Sequence, residues 1–264
     1  MFARSTTSPG SCGTTLAVGA SCTYNVVFSP VAITGYSRTL TVAATGATIT
    51  PSSVTLTGTG VAAPSRPTLG VLDNFNRANS SGSLGANWGA TALSVNDVTL
   101  LTPSTGTAMC VTASLCGLLG GQANWNAAFG ANQAAAFTFA NSTVGASSLN
   151  LKASGTALLG VSPNYIRVMN TGTTVVVQTT TNFGLAFTTQ ATLSTGSTSA
   201  SGNVLTALVD PAGVVYVWRT VGATTSYIGG VALPTDPLWT GGGQIGIRMT
   251  SGARVDDFAG GTVP

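Results

Sequence analysis

The sequence predicts an all-β protein made of two sandwich segments, a short one over residues 1–60 and a long one over residues 70–264, with a linker at 61–69. Three observations predict it. Short stretches with period-2 alternation recur along the chain and end in Gly, Pro or Asn turns. Helix signals are scarce: there is no long i, i+3, i+4, i+7 apolar stripe, and the chain has no Glu to build a capping box. The stretch "GTGVAAPSRPTLG" (58–70) places two prolines among small residues after a strand-like run, as a linker does.

The strand candidates follow in order. "CTYNVVFSP" (22–30), "SRTLTVAAT" (37–45) and "SSVTLTGTG" (52–60) fall in the first segment. "AAAFTFA" (134–140), "YIRVMN" (165–170), "TTVVVQTTT" (173–181), "NVLTALVD" (203–210), "GVVYVWRT" (213–220) and "GQIGIRMT" (243–250) fall in the second. Short strands with such punctuation suit sandwiches.

Composition narrows the function classes. Charged residues are 6% of the 264, against a usual quarter, while hydrophobic residues are 44%, enough for a core. The net charge of +3 comes from scattered Arg and one Lys, with no basic run, which argues against nucleic acid as a partner. A surface so poor in charge has little electrostatic protection against self-association. No apolar run reaches 18 residues, so no membrane-spanning helix is expected. "MFARSTTSPG" lacks the apolar stretch of a signal peptide, so export would need a leader lying upstream or already removed.

Four cysteines form two local pairs, Cys12 with Cys22 and Cys110 with Cys116. Neither spacing is that of a zinc knuckle and the chain has no His, so two short disulfide loops are expected. Each would contribute about 2–3 kcal/mol. Disulfides place the protein in an oxidising setting: the periplasm, a cell or virion surface, or outside the cell.

Two resemblances add to this. "SCGTTLAVGASCTYNVVFSP", "RTLTV" and "VTLTGTG" resemble the second half of bacterial Ig-like domains of the ASPM/SPD-2/Hydin (choice-of-anchor D) type, over roughly residues 2–60. The resemblance implies an incomplete Ig-like β-sandwich whose first strands are missing: either the sequence is a fragment, or a neighbouring subunit completes the open edge by strand addition. "VLDNFNRANSSGSLGANW" (71–88) and "GGGQIGIRMTSGARVDDFAGG" (241–261) resemble the two ends of concanavalin A-like (laminin G-like) jelly-roll domains. That family includes lectins, carbohydrate-binding modules, glycosidases and structural modules. It implies that the first and last strands lie side by side, bringing "LDNF" (72–75) next to "VDDF" (255–258), with Phe75 and Phe258 as core anchors.

The chemistry available is limited. Without His, no Ser-His-Asp or Cys-His machinery and no imidazole base can form. Without Glu, a glycosidase would need a pair drawn from the six Asp. Asp210 in "VDPAG", Asp236 in "LPTDPLW" and Asp97 in "SVNDVTL" read as turn residues. Asp73, Asp256 and Asp257 remain. Strand period 2 sends Asp256 and Asp257 to opposite faces, so they do not converge on one substrate atom. One of them and Asp73 could share a structural calcium ion; the alternative is a hydrogen-bonded seam with Arg77 or Arg254 as partner. "GGGQIG" (241–246) fits G-x-G-x-x-G, but a strand follows it rather than a helix, so its glycines are read as permitting close strand approach.

Aromatic rings are the usual means of holding a sugar, and Trp125, Tyr216, Trp218, Tyr227 and Trp239 are the candidates; Trp88 reads as core. In "GVVYVWRT", Tyr216 and Trp218 share one face and Val215 and Val217 the other, and either face could be the core. The expectation is a non-catalytic, exported surface protein for adhesion or assembly that binds polysaccharide. The alternative is a structural subunit of a filament or virion decoration, self-associating through strand donation. A glycoside hydrolase is the weakest reading.

Overall fold

A computed structural model describes residues 2–5, 10–28, 34–46, 50–60, 62–77, 84–89, 98–101, 107–110, 121–158, 161–249 and 252–264, with only the backbone described at 98–101, 109 and 110. The chain divides into two compact units, Met1–Pro64 and Ser65–Pro264.

The first unit holds two antiparallel pairs. β1 (Phe2–Arg4) pairs with β2 (Val26–Phe28), and β3 (Gly35–Thr41) with β4 (Ser53–Thr59). Cys12 and Cys22 form the expected disulfide. The second expected pair, Cys110–Cys116, lies outside the described side chains. Phe28 stacks on Phe2 at 4.6 Å and meets Tyr36 edge-on at 5.6 Å. Gly58 sits beneath the same ring, where a Cβ would fall 2.8 Å from it. Yet no apolar side chain described in this unit is fully buried, and Val27, Val42 and Val54 are exposed. The Ig-like resemblance of this unit rests on its sequence motifs alone.

The second unit is an antiparallel sandwich. Its strands are β5 (Val71–Asp73), β6 (Val98–Leu101), β7 (Thr107–Cys110), β8 (Gly121–Phe129), β9 (Gln133–Phe139), β10 (Ser148–Ser154), β11 (Asn164–Asn170), β12 (Thr174–Thr180), β13 (Thr188–Ser194), β14 (Val204–Val209), β15 (Val214–Val221), β16 (Thr224–Ala232), β17 (Gly243–Met249) and β18 (Arg254–Thr262). A short helix, α1 (Pro237–Thr240), precedes β17. A six-stranded sheet runs β13-β12-β11-β10-β17-β8. An eight-stranded sheet runs β16-β15-β14-β9-β18-β7-β6, with β5 also pairing with β18.

Alternation builds the core between them. Leu149, Leu151, Ile166 and Val168 from the smaller sheet join Phe137, Leu205, Val215 and Val217 from the larger one in a single buried cluster. The Val face of β15 is therefore the core face. Asp210 and Asp236 take the turn roles that their sequence contexts predict. Asp210 Oδ1 accepts from the Ala212 and Val214 amides, and Asp236 caps α1 by accepting from Leu238 N.

The chain ends close the sandwich. Phe258 is the register partner of Asp73, and Phe75 and Phe258 are both fully buried. The Asp256–Asp257 step departs from simple alternation. Asp257 has φ +48° and the β18–β9 register shifts between Asp256 and Ala259, a bulge that inserts an extra residue. Val255 and Phe258 therefore both face inward, which a strict period of 2 forbids. Asp256 is left half-buried and Asp257 exposed.

Candidate ligand-binding face

The seam accounts for Asp73. Its carboxylate accepts from Phe75 N (2.8 Å), from Arg77 Nη1 (2.5 Å) and Nη2 (2.9 Å), and from Trp88 Nε1 (2.7 Å). The Trp88 ring lies against Phe75, Phe258 and Trp125 at 5.9, 4.8 and 5.4 Å. The sequence alternatives for Asp73 were calcium and an Arg-bonded seam; its oxygens here serve N–H donors. Asp256 Oδ1 likewise accepts from Asp257 N at 2.8 Å. Burial pushes the Asp256 carboxyl above its ordinary range; the Asp257 and Asp73 charges add to this, while the Asp257 N–H opposes it. Calcium wants oxygens with free lone pairs and few competing donors, so this set fits the ion poorly.

The five aromatic candidates do not form one site. Trp239 lies in the core, and Trp125 packs against the core beside Trp88. Tyr216, Trp218 and Tyr227 cluster on the outer face of the eight-stranded sheet, with ring separations of 6.3 and 5.8 Å. Trp218 is covered there at 2% exposure, and the Tyr216 hydroxyl donates to Asp210 at 3.2 Å. Tyr227 is exposed, at 38%, and Tyr216 is half-buried.

A different surface carries the chemistry: the outer face of the six-stranded sheet. Ile166 and Val168 of β11 point into the core, so Tyr165, Arg167 and Met169 point out. By the same alternation β10 presents Ser148 and Asn150, β17 presents Gly246 and Arg248, and β8 presents Gln122 and Asn124. Register lines these up. Gln122, Arg248, Ser148 and Met169 form one row across four strands; Asn124, Gly246, Asn150, Arg167 and Gln178 form the next across five.

Gly246 makes the centre of that row possible. Asn150 donates from Nδ2 to Asn124 Oδ1 at 3.5 Å, across the strand that lies between them. A Cβ on Gly246 would lie 2.3 Å from that same Oδ1 and 2.3 Å from the Ala123 carbonyl oxygen. The glycines of "GGGQIG" thus do permit close strand approach. Asn124 in turn donates to Ser162 Oγ at 3.3 Å, tying in the segment before β11.

At the other side, Phe187 in the segment before β13 covers the face. Tyr165 meets it edge-on at 5.9 Å, and the Arg167 and Arg248 guanidiniums lie 4.8 and 5.5 Å from its centroid. Arg248 also donates to the Tyr165 hydroxyl at 2.9 Å. Burial raises the Tyr165 pKa, and burial together with the Arg248 charge lowers that of Arg167 to about 10.

The face is polar, enclosed and incompletely bonded. Gln122 is 2% exposed, and neither amide atom of its side chain has a partner. Asn150 is fully buried with Oδ1 unpartnered, and Arg167 Nε and Gln178 Oε1 are also buried without partners. Buried polar atoms are paired in the great majority of cases, because an unpaired one costs about 1–3 kcal/mol. A cluster of unpaired donors and acceptors on one sheet face is what a polar ligand would satisfy.

No protein-family model and no curated protein matches the chain. Among solved structures, it is similar to the carbohydrate-binding module CBM66 of Bacillus subtilis, at 13% identity over 67% of this chain and 93% of that one, with a TM-score of 0.44. It is similar to a Bacillus subtilis protein of galectin-like fold, at 13% identity over 75% and 97%, TM-score 0.44. It is also similar to the lectin UEA-II complexed with galactose, at 10% identity over 61% and 89%, TM-score 0.40. These likenesses are remote and say nothing of what this chain binds.

Proposed function

We propose that this chain is a non-catalytic carbohydrate-binding protein of the cell exterior, serving adhesion or assembly, and that it holds polysaccharide on the outer face of its six-stranded sheet. The observation that carries this reading is the cluster of buried, unpartnered amide and guanidinium atoms at Gln122, Asn150, Arg167 and Gln178. Sugar hydroxyls both donate and accept, which is the complement of an amide-lined face, and Phe187 supplies a ring beside it. The Cys12–Cys22 disulfide supports an oxidising location. Carboxylates at Asp73, Asp210 and Asp236 are engaged in structural bonds, which favours binding over hydrolysis. Affinity electrophoresis through gels containing neutral and acidic polysaccharides tests the reading. Retardation in at least one gel, lost when Asn150 is replaced by Leu, is expected; migration unchanged in every gel would overturn it.

A second reading, assembly through a second copy of the chain, is favoured by the first unit. It buries no apolar side chain fully among the described residues, and Phe2, Tyr24, Leu40 and Leu56, with Arg4 and Arg38 beside them, line a groove of about 270 Å³. Sedimentation over a concentration series tests this: growth of dimers or larger species is expected, and a monomer throughout would sink it.

A further inference from the structure

We infer that the ligand of the six-stranded sheet is an acidic polysaccharide, recognised through a sugar carboxylate that sits between Arg167 and Arg248. This rests on the carbohydrate reading above and names the ligand class. Two cations share one phenyl ring: both guanidiniums lie within 5.5 Å of the Phe187 centroid. Burial lowers the Arg167 pKa, the Arg248 charge lowers it further as a nearby like charge does, and the sheet face sharpens the repulsion.

Among the described residues no acidic side chain pairs with Arg167. Its bonded contacts are the Met169 sulfur and the Phe187 ring, and its Nε is buried without an acceptor. Of the described carboxylates, Asp73 is held at the seam by Arg77, Asp210 and Asp236 serve turns, Asp256 accepts from the neighbouring amide, and Asp257 is exposed on β18 of the other sheet. A planar guanidinium offers paired N–H donors that match the two oxygens of a carboxylate, so a uronate group satisfies both the missing acceptor and the missing charge.

The flanking residues suit a sugar around that carboxylate. Asn150 is the register partner of Arg167, and Gln122 that of Arg248, so an amide with an unpartnered oxygen stands beside each guanidinium. Hydroxyls next to a uronate carboxylate would meet Asn150 Oδ1 and either end of the Gln122 amide. No acidic side chain is among these residues to repel the ligand.

Polygalacturonate and its fully methyl-esterified form are the probes, because they differ only in the charge of the carboxyl group. The full chain should bind the acid form, and the ester at least tenfold more weakly. Arg167→Gln should lose about tenfold or more toward the acid form. Arg167→Lys, which keeps the charge without the fork, should fall between, and Arg254→Gln, outside the face, should bind as the parent does. Thermal melting of each variant separates lost binding from lost folding. Equal binding of ester and acid overturns the carboxylate and leaves the carbohydrate reading standing. Equal binding of dextran sulfate overturns it in favour of any polyanion. Binding to none of these, nor to neutral polysaccharides, overturns both.

Discussion

Asp73 accepts the indole N–H of Trp88 at 2.7 Å while holding Arg77 through both of its oxygens, and so fixes the first strand of the second unit to its aromatic core. Replacing Asp73 by Ala removes an acceptor from a buried indole and strips Arg77 of its ion partner. Loss of such a partly buried network costs roughly 2–4 kcal/mol. Asp73→Ala should therefore lower the melting temperature by about 5–15 °C, with Trp fluorescence shifting red as Trp88 is wetted. An unchanged melting curve would mean that the seam does not hold the sandwich.

The same geometry bears on calcium. Because N–H donors surround the Asp73 oxygens and Asp256 accepts a backbone amide, chelation should leave stability untouched. Melting with excess chelator and then with millimolar calcium checks this. A rise of several degrees with calcium would show that the seam rearranges to take the ion.

Gly246 should tolerate no side chain. A Cβ there meets both the Ala123 carbonyl and the Asn124 amide, at 2.3 Å each. Gly246→Ala should force β17 away from β8 and destabilise the fold by about 2 kcal/mol or more. Melting temperature and hydrogen exchange across 121–129 and 243–249 read the result.

Lys152 links stability to pH. Its side chain is buried and donates to the Ala131 and Gly241 carbonyls, and burial lowers its pKa from 10.5 to about 8. Between those two values the unfolded chain holds the proton more tightly, so this contribution to stability rises with pH. Subtracting the melting temperature of Lys152→Met from that of the parent should give a difference that grows from pH 8 to pH 10. A flat difference would mean that Lys152 keeps its ordinary affinity for protons.

The sequence disclosed the seam better than the face. "LDNF" and "VDDF" met as the jelly-roll resemblance implied, because hydrophobic anchors at Phe75 and Phe258 fix their register. The bulge at Asp257 was not legible, since nothing local marks a non-glycine residue at φ +48°. β8 and β10 were absent from the strand reading. Asn, the outward residue at 124 and 150, is depleted in strands, so residues that make the face also masked the strands that carry it. One signal was present: "QANWN", "LNLK" and "IRVM" alternate apolar residues with amides and cations instead of the Ser and Thr common elsewhere. Ring count drew attention to Trp218 and Trp239, which the structure covers.

The central claim is that the face keeps its polar atoms for a ligand and not for stability. Gln122 is the sharpest probe, because both ends of its buried amide lack a partner. Gln122→Met keeps the shape, breaks no hydrogen bond and removes a buried polar group. The account predicts an unchanged or higher melting temperature, together with at least a tenfold loss of binding to polygalacturonate. A lower melting temperature with binding retained would contradict it.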